Sequence, residues 1–485
     1  MHEQETTGGY RLYQLIGLVA GPVAFAVLFF SPPPSGLPPE GWSVAALAVW
    51  MAIWWATEAL PLFVTALLPL VMVPLLGIGD IRSASSPYGN PVIFLLLGGL
   101  LIALAFERWN LHRRIAFLII LRVGSRPLNL IGGVMLASAF LSMWITNAAT
   151  TMLMLPIAIS LIREVLPDGS DHGHNGTNFA AAMMLGIAYA ASIGGMGTLI
   201  GTPPNAVAAG YLDEAFGFEV TFATWMALAV PISVVLLGFA FLVLTRFAFP
   251  VSSTLEGSQT NVAGDMLREM GPLRGPERRV AIVFSVVALG WILSPVARDW
   301  LGPGVTETGI AIAGAVALFA IPADWRTRKF LLDSSAARRV PWDVLILFGG
   351  GMSLAKAIDS SGLAAWIGSG LSFLHSAPLI VIIFGIALLV VYLTELMSNT
   401  ATTAALLPIA GGFAAGTDLA PLYPAMAIAL AASSAYMLPV ATPPNALVFG
   451  SGYVSLPQML RAGFLLSLLG AGVIAVGITI AASVL

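Results

Sequence analysis

The chain has 485 residues, of which 58% are hydrophobic and 9% are charged, and its formal net charge is −3. Soluble proteins carry roughly 25% charged residues, so the composition excludes an ordinary water-facing surface and indicates a chain solvated by lipid. The sequence has no cysteine, which excludes disulfides and thiolate metal sites, and it has no basic run long enough to indicate nucleic-acid binding.

Apolar runs of about 17 to 25 residues recur along the chain, which is typical of membrane-spanning helices and not of β-barrel strands. The predicted fold is an all-α polytopic membrane protein with about 11 transmembrane helices. The first helix, within an N-terminal segment at 1–40, is predicted to be retained because no signal-peptide cleavage site follows it. The spans are predicted near 13–31, 43–60, 62–78, 88–106, 178–211, 224–248, 278–296, 305–321, 342–358, 424–449 and 458–483.

Two further apolar segments, 128–164 and 379–413, each contain a short polar tip between two apolar legs. The tips are Thr146-Asn147-Ala148 and Ser398-Asn399-Thr400. Because each leg is at or below the ~20 residues that a helix needs to cross a bilayer, we expect two re-entrant helical hairpins. The alternative is that each segment forms two full spans joined by a tight polar turn.

A polar stretch at 250–277 is predicted to be a solvated linker on the cytoplasmic side. If the N-terminus is cytoplasmic, every Lys and Arg except Arg82, Arg298 and Lys356 falls on the cytoplasmic side. This distribution follows the positive-inside rule, so it predicts a multi-pass inner-membrane protein with an extracytoplasmic C-terminus.

The segments before and after the linker resemble each other in three motifs that occur in the same order. Repeat 1 is predicted at 41–249 and repeat 2 at 278–485, each with five spans and one hairpin. Five is odd, so the second repeat must be inverted relative to the first, an arrangement typical of transporters. The motif pairs are Gly98-Gly99 with Gly349-Gly350, Thr146-Asn147-Ala148-Ala149-Thr150-Thr151 with Ser398-Asn399-Thr400-Ala401-Thr402-Thr403, and Thr202-Pro203-Pro204-Asn205 with Thr442-Pro443-Pro444-Asn445.

The Thr-Pro-Pro-Asn motifs interrupt the apolar runs at 178–211 and 424–449, so each run is predicted to be a broken helix. An unwound segment frees carbonyl oxygens, and each hairpin tip adds hydroxyls, an amide and a helix N-terminus. The tips and breaks contain no Lys or Arg. These features favour an anion carrier that depends on cations such as Na⁺, although tip capping and proline kinks without a binding role are alternatives.

Two acidic residues lie in apolar surroundings. Glu58 follows a predicted span and is expected at the membrane interface. Glu395 precedes the second tip and is expected to orient it, because an intramembrane acid is a functional candidate.

The paired tips and paired Thr-Pro-Pro-Asn breaks resemble those of the divalent-anion/sodium symporter family from about residue 40 to the end of the chain, most specifically in the run from Leu438 to Ala446. The resemblance implies a homodimer that works by an elevator mechanism. Its scaffold domain would hold the first four spans and the seventh to ninth. Its transport domain would hold the hairpins and spans five, six, ten and eleven.

The resemblance also implies the binding residues. One Na⁺ would be held by Ser142, Thr146, Asn147 and Gly195. The other would be held by Thr394, Met397 (through its carbonyl), Asn399 and Ala441. The substrate would contact Thr146, Asn147, Ser398, Asn399, Thr400, Thr442 and Pro443.

The function expected from these observations is Na⁺-coupled symport of C4 dicarboxylates such as succinate, malate and fumarate. Na⁺ would be the co-transported ion, and no organic cofactor is expected.

The alternatives are a Na⁺-independent dicarboxylate exchanger and a Na⁺-coupled carrier of sulfate or citrate. Ala148 departs from the family's usual Ser-Asn-Thr tip and leaves the exact substrate open. A membrane enzyme is disfavoured because no convincing catalytic motif is found, and a structural subunit would not explain the matched tips.

Overall fold

The computed structural model describes residues 10–124, 126–166, 173–251, 262–370, 377–415 and 419–484. These residues are almost entirely helical, and the chain can be followed as helices α1 to α23. A helix satisfies its backbone hydrogen bonds internally, which a lipid-solvated chain requires. The predicted N-terminal segment and linker lie partly outside the described residues, at 1–9 and 252–261.

The first helices precede the first hairpin, and two of them begin at proline, which is preorganised for the first helical turn. Asn90 caps α6 by accepting a hydrogen bond from the N–H of Val92 at 2.9 Å. A short 3₁₀ turn, Ser86–Gly89, links α5 to α6. The helices are α1 (Leu12–Phe30), α2 (Pro39–Thr57), α3 (Leu62–Thr65), α4 (Leu68–Leu75), α5 (Ile81–Ser85), α6 (Pro91–Arg108) and α7 (Leu111–Val123).

The next five helices contain the first hairpin and the first broken helix. The hairpin is α8–α9 and the broken helix is α10–α11. The last helix, α12, runs into a π-helical turn at Val243–Ala248. These helices are α8 (Pro127–Ser142), α9 (Asn147–Val165), α10 (Gly173–Gly195), α11 (Pro203–Phe216) and α12 (Phe222–Leu242).

The following helices connect the two hairpin regions. The part of the predicted linker that the structure describes contains a helix, α13, which packs against α7. Two short antiparallel strands, Pro322–Asp324 and Lys329–Phe330, follow α16, and a 3₁₀ turn, Ala336–Arg339, precedes α17. The helices are α13 (Val262–Met270), α14 (Gly275–Ile292), α15 (Ser294–Leu301), α16 (Glu307–Ala320), α17 (Trp342–Ser360) and α18 (Leu363–Gly370).

The final helices contain the second hairpin, α19–α20, and the second broken helix, α21–α22. A long apolar helix, α23, ends the described chain. These helices are α19 (Leu379–Thr394), α20 (Asn399–Ala415), α21 (Leu422–Ala432), α22 (Pro443–Gly450) and α23 (Leu456–Val484).

Six helices in the described ranges are long and apolar enough to cross a bilayer, and two bent pairs raise the number to eight. The bent pairs are α14–α15, at 77°, and α17–α18, at 74°. Eleven spans therefore stay a prediction, since several predicted spans consist of shorter pieces. The predicted span at 62–78 is divided into α3 and α4, and the one at 424–449 into α21 and α22.

Helix α10 lies at the centre of the molecule, whereas α1 lies at its periphery. The spanning window of α10 is 94% buried and that of α1 is 11% buried. A close approach to the first hairpin is possible because Gly194 has no side chain: a Cβ there would lie 2.6 Å from the carbonyl carbon of Ala139 in α8. Helix α10 also packs against α9, α12 and α22, which brings both broken helices to one place.

Candidate functional site

Each hairpin reverses direction through four non-helical residues, 143–146 in the first and 395–398 in the second. Thr146 begins α9 by accepting a hydrogen bond from the N–H of Ala149 at 3.3 Å. Its side chain is exposed, and Asn147 and Ala148 beside it are half-buried. In the second tip, Ser398 and Asn399 are half-buried and Thr400 is buried. Both tips therefore present polar atoms on an accessible surface within an apolar protein.

The first tip contains a hydroxyl–amide pair. The hydroxyl of Ser142, the last residue of α8, donates to Oδ1 of Asn147, the first residue of α9, at 2.7 Å. The backbone of the same asparagine is also bound, because the Thr151 hydroxyl donates to the Asn147 carbonyl oxygen at 2.9 Å. Ser142 and Thr151 are both fully buried. The Asn147 side chain is thus fixed across the reversal.

The second tip contains the corresponding pair. The Thr394 hydroxyl lies 2.8 Å from Oδ1 of Asn399 and 2.9 Å from the carbonyl oxygen of Ala432, the last residue of α21. The Thr403 hydroxyl donates to the Asn399 carbonyl at 2.8 Å. The hydroxyl and asparagine positions have the same separations as in the first tip, so the two hairpins carry the same kind of hydroxyl–amide pair.

The first broken helix unwinds between Gly195 and Pro203. Asn205 is fully buried, and its Nδ2 lies within 3.2 Å of three carbonyl oxygens in this break, those of Gly195, Met196 and Thr198. Pro203 and Pro204 begin α11. The first N–H groups of a helix have no acceptor within the helix, so proline, which has no N–H, is well suited to these positions. One asparagine therefore organises the carbonyls of the whole turn.

Oxygen atoms of the first tip and first break converge around two glycines. A Cβ on Gly195 would lie 2.5 Å from Oδ1 of Asn147. A Cβ on Gly201 would lie 2.5 Å from the carbonyl oxygen of Gly195 and 2.9 Å from that of Ser142. Three of the four residues predicted for the first Na⁺ site, Ser142, Asn147 and Gly195, are thus adjacent. The fourth, Thr146, caps α9 instead.

The second broken helix unwinds between Ala432 and Pro443. Nδ2 of Asn445 donates to the carbonyl oxygens of Ala435, at 3.2 Å, and Leu438, at 3.0 Å. Thr442 caps α22 by accepting from the N–H of Asn445 at 3.3 Å. The second break is therefore organised by an asparagine in the same way as the first.

The residues predicted for the second Na⁺ site are only partly brought together. Thr394 and Asn399 are hydrogen-bonded to each other, whereas the N–H of Ala441 donates to Leu438 at 3.2 Å. Within the described ranges, no hydrogen bond joins Ala441 or Met397 to that pair. Of the predicted substrate residues, Thr442 is buried at the start of α22 and Pro443 is exposed beside it.

The two asparagines of the breaks were not predicted as site residues, although their Thr-Pro-Pro-Asn motifs were recognised. Oδ1 of Asn205 and of Asn445 are both buried without a hydrogen-bond partner among the described residues. Thr150 and Thr402 occupy matching positions behind the tips. Their hydroxyls are also buried without a hydrogen-bond partner among the described residues. Buried oxygens of this kind favour a hard cation, whose preferred ligands are oxygen atoms.

Known proteins are similar to this chain in sequence. A model of the sodium:sulfate symporter transmembrane region matches residues 12–484. A sodium-dependent dicarboxylate transporter of Staphylococcus saprophyticus is 41% identical over 471 residues, which cover 96% of this chain and 91% of that protein. One from Staphylococcus aureus strain bovine RF122 / ET3-1 is 42% identical over 469 residues, which cover 95% and 90%.

Two solved transporters share the overall fold at low sequence identity. The YdaH transporter of Alcanivorax borkumensis aligns with a TM-score of 0.57 at 14% identity, and 97% of each chain is covered. MtrF of Neisseria gonorrhoeae, described as belonging to a class of antimetabolite efflux pumps, aligns with a TM-score of 0.57 at 15% identity, with coverage of 96% and 94%. These similarities support an all-helical membrane-transporter fold.

Proposed function

This chain belongs to the sodium:sulfate symporter family, and from that membership we propose that it is a secondary transporter that carries C4 dicarboxylates together with Na⁺. The family match agrees with the resemblance that the tips and breaks indicated. The Staphylococcus relatives are named sodium-dependent dicarboxylate transporters, so they favour dicarboxylate and Na⁺ as the transported species and a carrier over an enzyme.

The observation that carries the proposal is the pair of matched tips. Ser142 with Asn147, and Thr394 with Asn399, each place a hydroxyl and an amide oxygen at the start of a helix. Helix N-termini carry a partial positive charge and attract carboxylates. Two such termini suit a substrate with a carboxylate at each end.

Na⁺ would compensate for the absence of cationic side chains. The sequence has no Lys or Arg from residue 127 to 162 or from residue 379 to 450. Carbonyl oxygens of unwound helices coordinate Na⁺ in other transporters. We assign Ser142, Asn147 and Gly195 to the first Na⁺, and Thr394 and Asn399 to the second, with the remaining predicted ligands (Thr146, Met397, Ala441) completing the two shells.

The substrate would lie against the accessible surface of both tips and the start of α22. We assign it the same residues that the sequence predicts. These are Thr146, Asn147, Ser398, Asn399, Thr400, Thr442 and Pro443.

Thermal stability of the purified protein in detergent tests the two ligands separately. Succinate and sulfate would each be titrated in NaCl and in choline chloride, because a ligand that binds only the folded state raises its stability. We expect succinate to raise the unfolding temperature in NaCl only. Stabilisation that is the same in choline chloride would contradict Na⁺ coupling.

A carrier of sulfate is the second candidate function. The matching family model is described as a sodium:sulfate symporter region, and Ala148 lacks the hydroxyl expected in the first tip. Preferential stabilisation by sulfate would favour this candidate. Stabilisation by succinate without Na⁺ would favour a Na⁺-independent exchanger.

We also propose that the two halves form an inverted repeat and that the site moves by an elevator mechanism. Two ion pairs between the proposed domains support a separable boundary. Lys356 pairs with Glu214 at 2.8 Å, and Arg298 pairs with Glu219. Partly exposed ion pairs stabilise a structure by about 1 kcal/mol or less, so these two pairs could open and reform.

A cysteine pair at this boundary tests the movement, because the chain has no native cysteine. Glu214→Cys with Lys356→Cys would be joined by a reducible bifunctional thiol reagent. We expect joining to stop uptake and reduction to restore it, while each single variant treated alike keeps its uptake. Full uptake by the joined protein would contradict movement at this boundary.

The assembly and orientation are also proposals. The family resemblance favours a homodimer, which light scattering of the detergent-solubilised protein would test. The Lys and Arg distribution favours a cytoplasmic N-terminus in the inner membrane. In intact cells, a membrane-impermeant thiol reagent should label Gly304→Cys, between α15 and α16, but not Arg328→Cys, between the two strands. Labelling of Arg328→Cys alone would reverse the orientation.

A further inference from the structure

Glu395 is a buried acid at the second hairpin tip. It follows α19 directly, and only 3% of its surface is exposed. Its Oε1 accepts hydrogen bonds from the N–H groups of Tyr436 at 2.7 Å and Met437 at 2.8 Å, and its Oε2 accepts one from Leu438 at 2.9 Å. Hydrogen bonds to an ionised carboxylate are about twice as strong as neutral ones. One side chain therefore holds three successive residues of the second break.

The same segment is held from its other side. The amide of Asn445 donates to the carbonyl oxygens of Ala435 and Leu438. The Tyr189 hydroxyl donates to the carbonyl oxygen of Tyr436 at 2.8 Å. Because the N–H groups turn towards Glu395 and the carbonyls turn away from it, the carboxylate sets the orientation of this stretch of backbone.

Glu395 also lies next to the second pair of the candidate site. It follows Thr394, whose hydroxyl is placed between Asn399 and Ala432. None of the ion pairs found in the described residues includes Glu395. Among the described residues its hydrogen-bond donors are backbone N–H groups, so a cation bound nearby would be favoured.

The first tip has no equivalent charge. The matching position is Met143, whose carbonyl accepts a hydrogen bond from the hydroxyl of Thr198 at 2.5 Å. Thr198 matches Leu438, so the first break is held by a neutral hydroxyl where the second is held by a carboxylate. The two otherwise similar halves of the site differ in charge at this point.

We propose that Glu395 is a positioning residue for the second cation site and that it raises the affinity of that site for Na⁺. The proposal rests on the Na⁺-coupled function proposed above. Glu395 acts through the backbone of residues 436–438 and through its charge.

The test is the Na⁺ dependence of succinate uptake by Glu395→Gln in proteoliposomes. An amide keeps the shape but loses the charge and one acceptor. Since loss of a residue that orients ligands costs about 10- to 100-fold in metal affinity, the half-saturating Na⁺ concentration should rise about 10-fold or more. The KM for succinate at saturating Na⁺ should stay within about two-fold of the original. Uniform loss of folded protein would lower only the maximal rate, so it would not raise the half-saturating Na⁺ concentration.

Two further variants separate this role from a structural one. Glu277→Gln alters another buried carboxylate, which accepts from Nη2 of Arg114 at 3.0 Å away from the tips, and it should lower thermal stability without changing the Na⁺ dependence. Glu395→Met with Leu438→Thr copies the neutral arrangement of the first tip, so it should fold and still need more Na⁺. An unchanged half-saturating Na⁺ concentration in either folded Glu395 variant would overturn the proposal. If succinate uptake by the unmodified protein did not depend on Na⁺, the proposed function would be overturned instead.

Discussion

Replacement of Asn205 by alanine removes the side chain that binds three carbonyl oxygens of the first break. Each side-chain hydrogen bond contributes about 0.6 kcal/mol in a membrane protein and up to about 1.5 kcal/mol in a soluble one. The amide nitrogen has two N–H donors, one of which is shared between two carbonyls, so its bonds give about 1 to 3 kcal/mol. Because the side chain is fully buried, water does not readily reach the three carbonyl oxygens to replace the lost N–H donors. We expect a loss of this size in the free energy of unfolding.

The assay is reversible unfolding of purified protein in mixed micelles, followed by tryptophan fluorescence. Asn178→Ala is the matched control, because among the described residues the Asn178 amide makes one hydrogen bond, to the carbonyl of Pro250 at 3.1 Å, near the start of α10 and far from the break. It should lose about 1 kcal/mol or less. Asn445→Ala, which also removes two N–H donors, should lose about as much as Asn205→Ala. Equal losses for Asn205→Ala and Asn178→Ala would refute the reasoning.

Three further predictions concern the tips and their packing. Asn147→Ala and Asn399→Ala should each abolish succinate uptake while the protein still elutes as a single folded species, and uptake above one-tenth of the original by either would contradict the site assignment. Ala148→Ser adds a hydroxyl to the first tip and should change the succinate-to-sulfate preference measured by competition, whereas an unchanged ratio would separate Ala148 from substrate binding. Gly194→Val forces side-chain atoms against the backbone of Ala139 and should cost about 1 to 3 kcal/mol by the same unfolding assay; a neutral effect would show that α8 and α10 can separate there.

Much of the local architecture could be predicted from sequence because its causes are local. Proline removes a backbone donor, so Pro203-Pro204 and Pro443-Pro444 indicated where two apolar runs must break, and α11 and α22 begin at Pro203 and Pro443. Polar residues between short apolar legs indicated the reversals, and α9 and α20 begin at Asn147 and Asn399. The re-entrant character of the hairpins stays a prediction.

The contacts that hold the site could not be predicted in the same way, because they join residues far apart in sequence. Glu395 binds N–H groups more than forty positions away, at Tyr436 to Leu438. The hydroxyl of Tyr189 reaches Tyr436 across the two halves of the chain. The sequence showed an acid in an apolar run and suggested an orienting role, but only the packing of α19 against α21 identifies what it orients.

Some helix boundaries could not be predicted from the sequence either. The apolar run at 62–78 looks continuous, yet the structure divides it into α3 and α4. The polar stretch at 250–277 has the composition of a solvated linker, and its described part contains α13, whose apolar side packs against α7. In both cases tertiary packing decides the structure where local propensity is weak.

The central claim, that this chain couples dicarboxylate transport to Na⁺, is tested most directly by uptake of radiolabelled succinate into proteoliposomes. The same vesicles would be diluted into NaCl or into choline chloride, with empty vesicles as the control. We predict succinate accumulation above the external concentration only under an inward Na⁺ gradient. Equal uptake in choline chloride, or stimulation by internal dicarboxylate instead of Na⁺, would contradict the account.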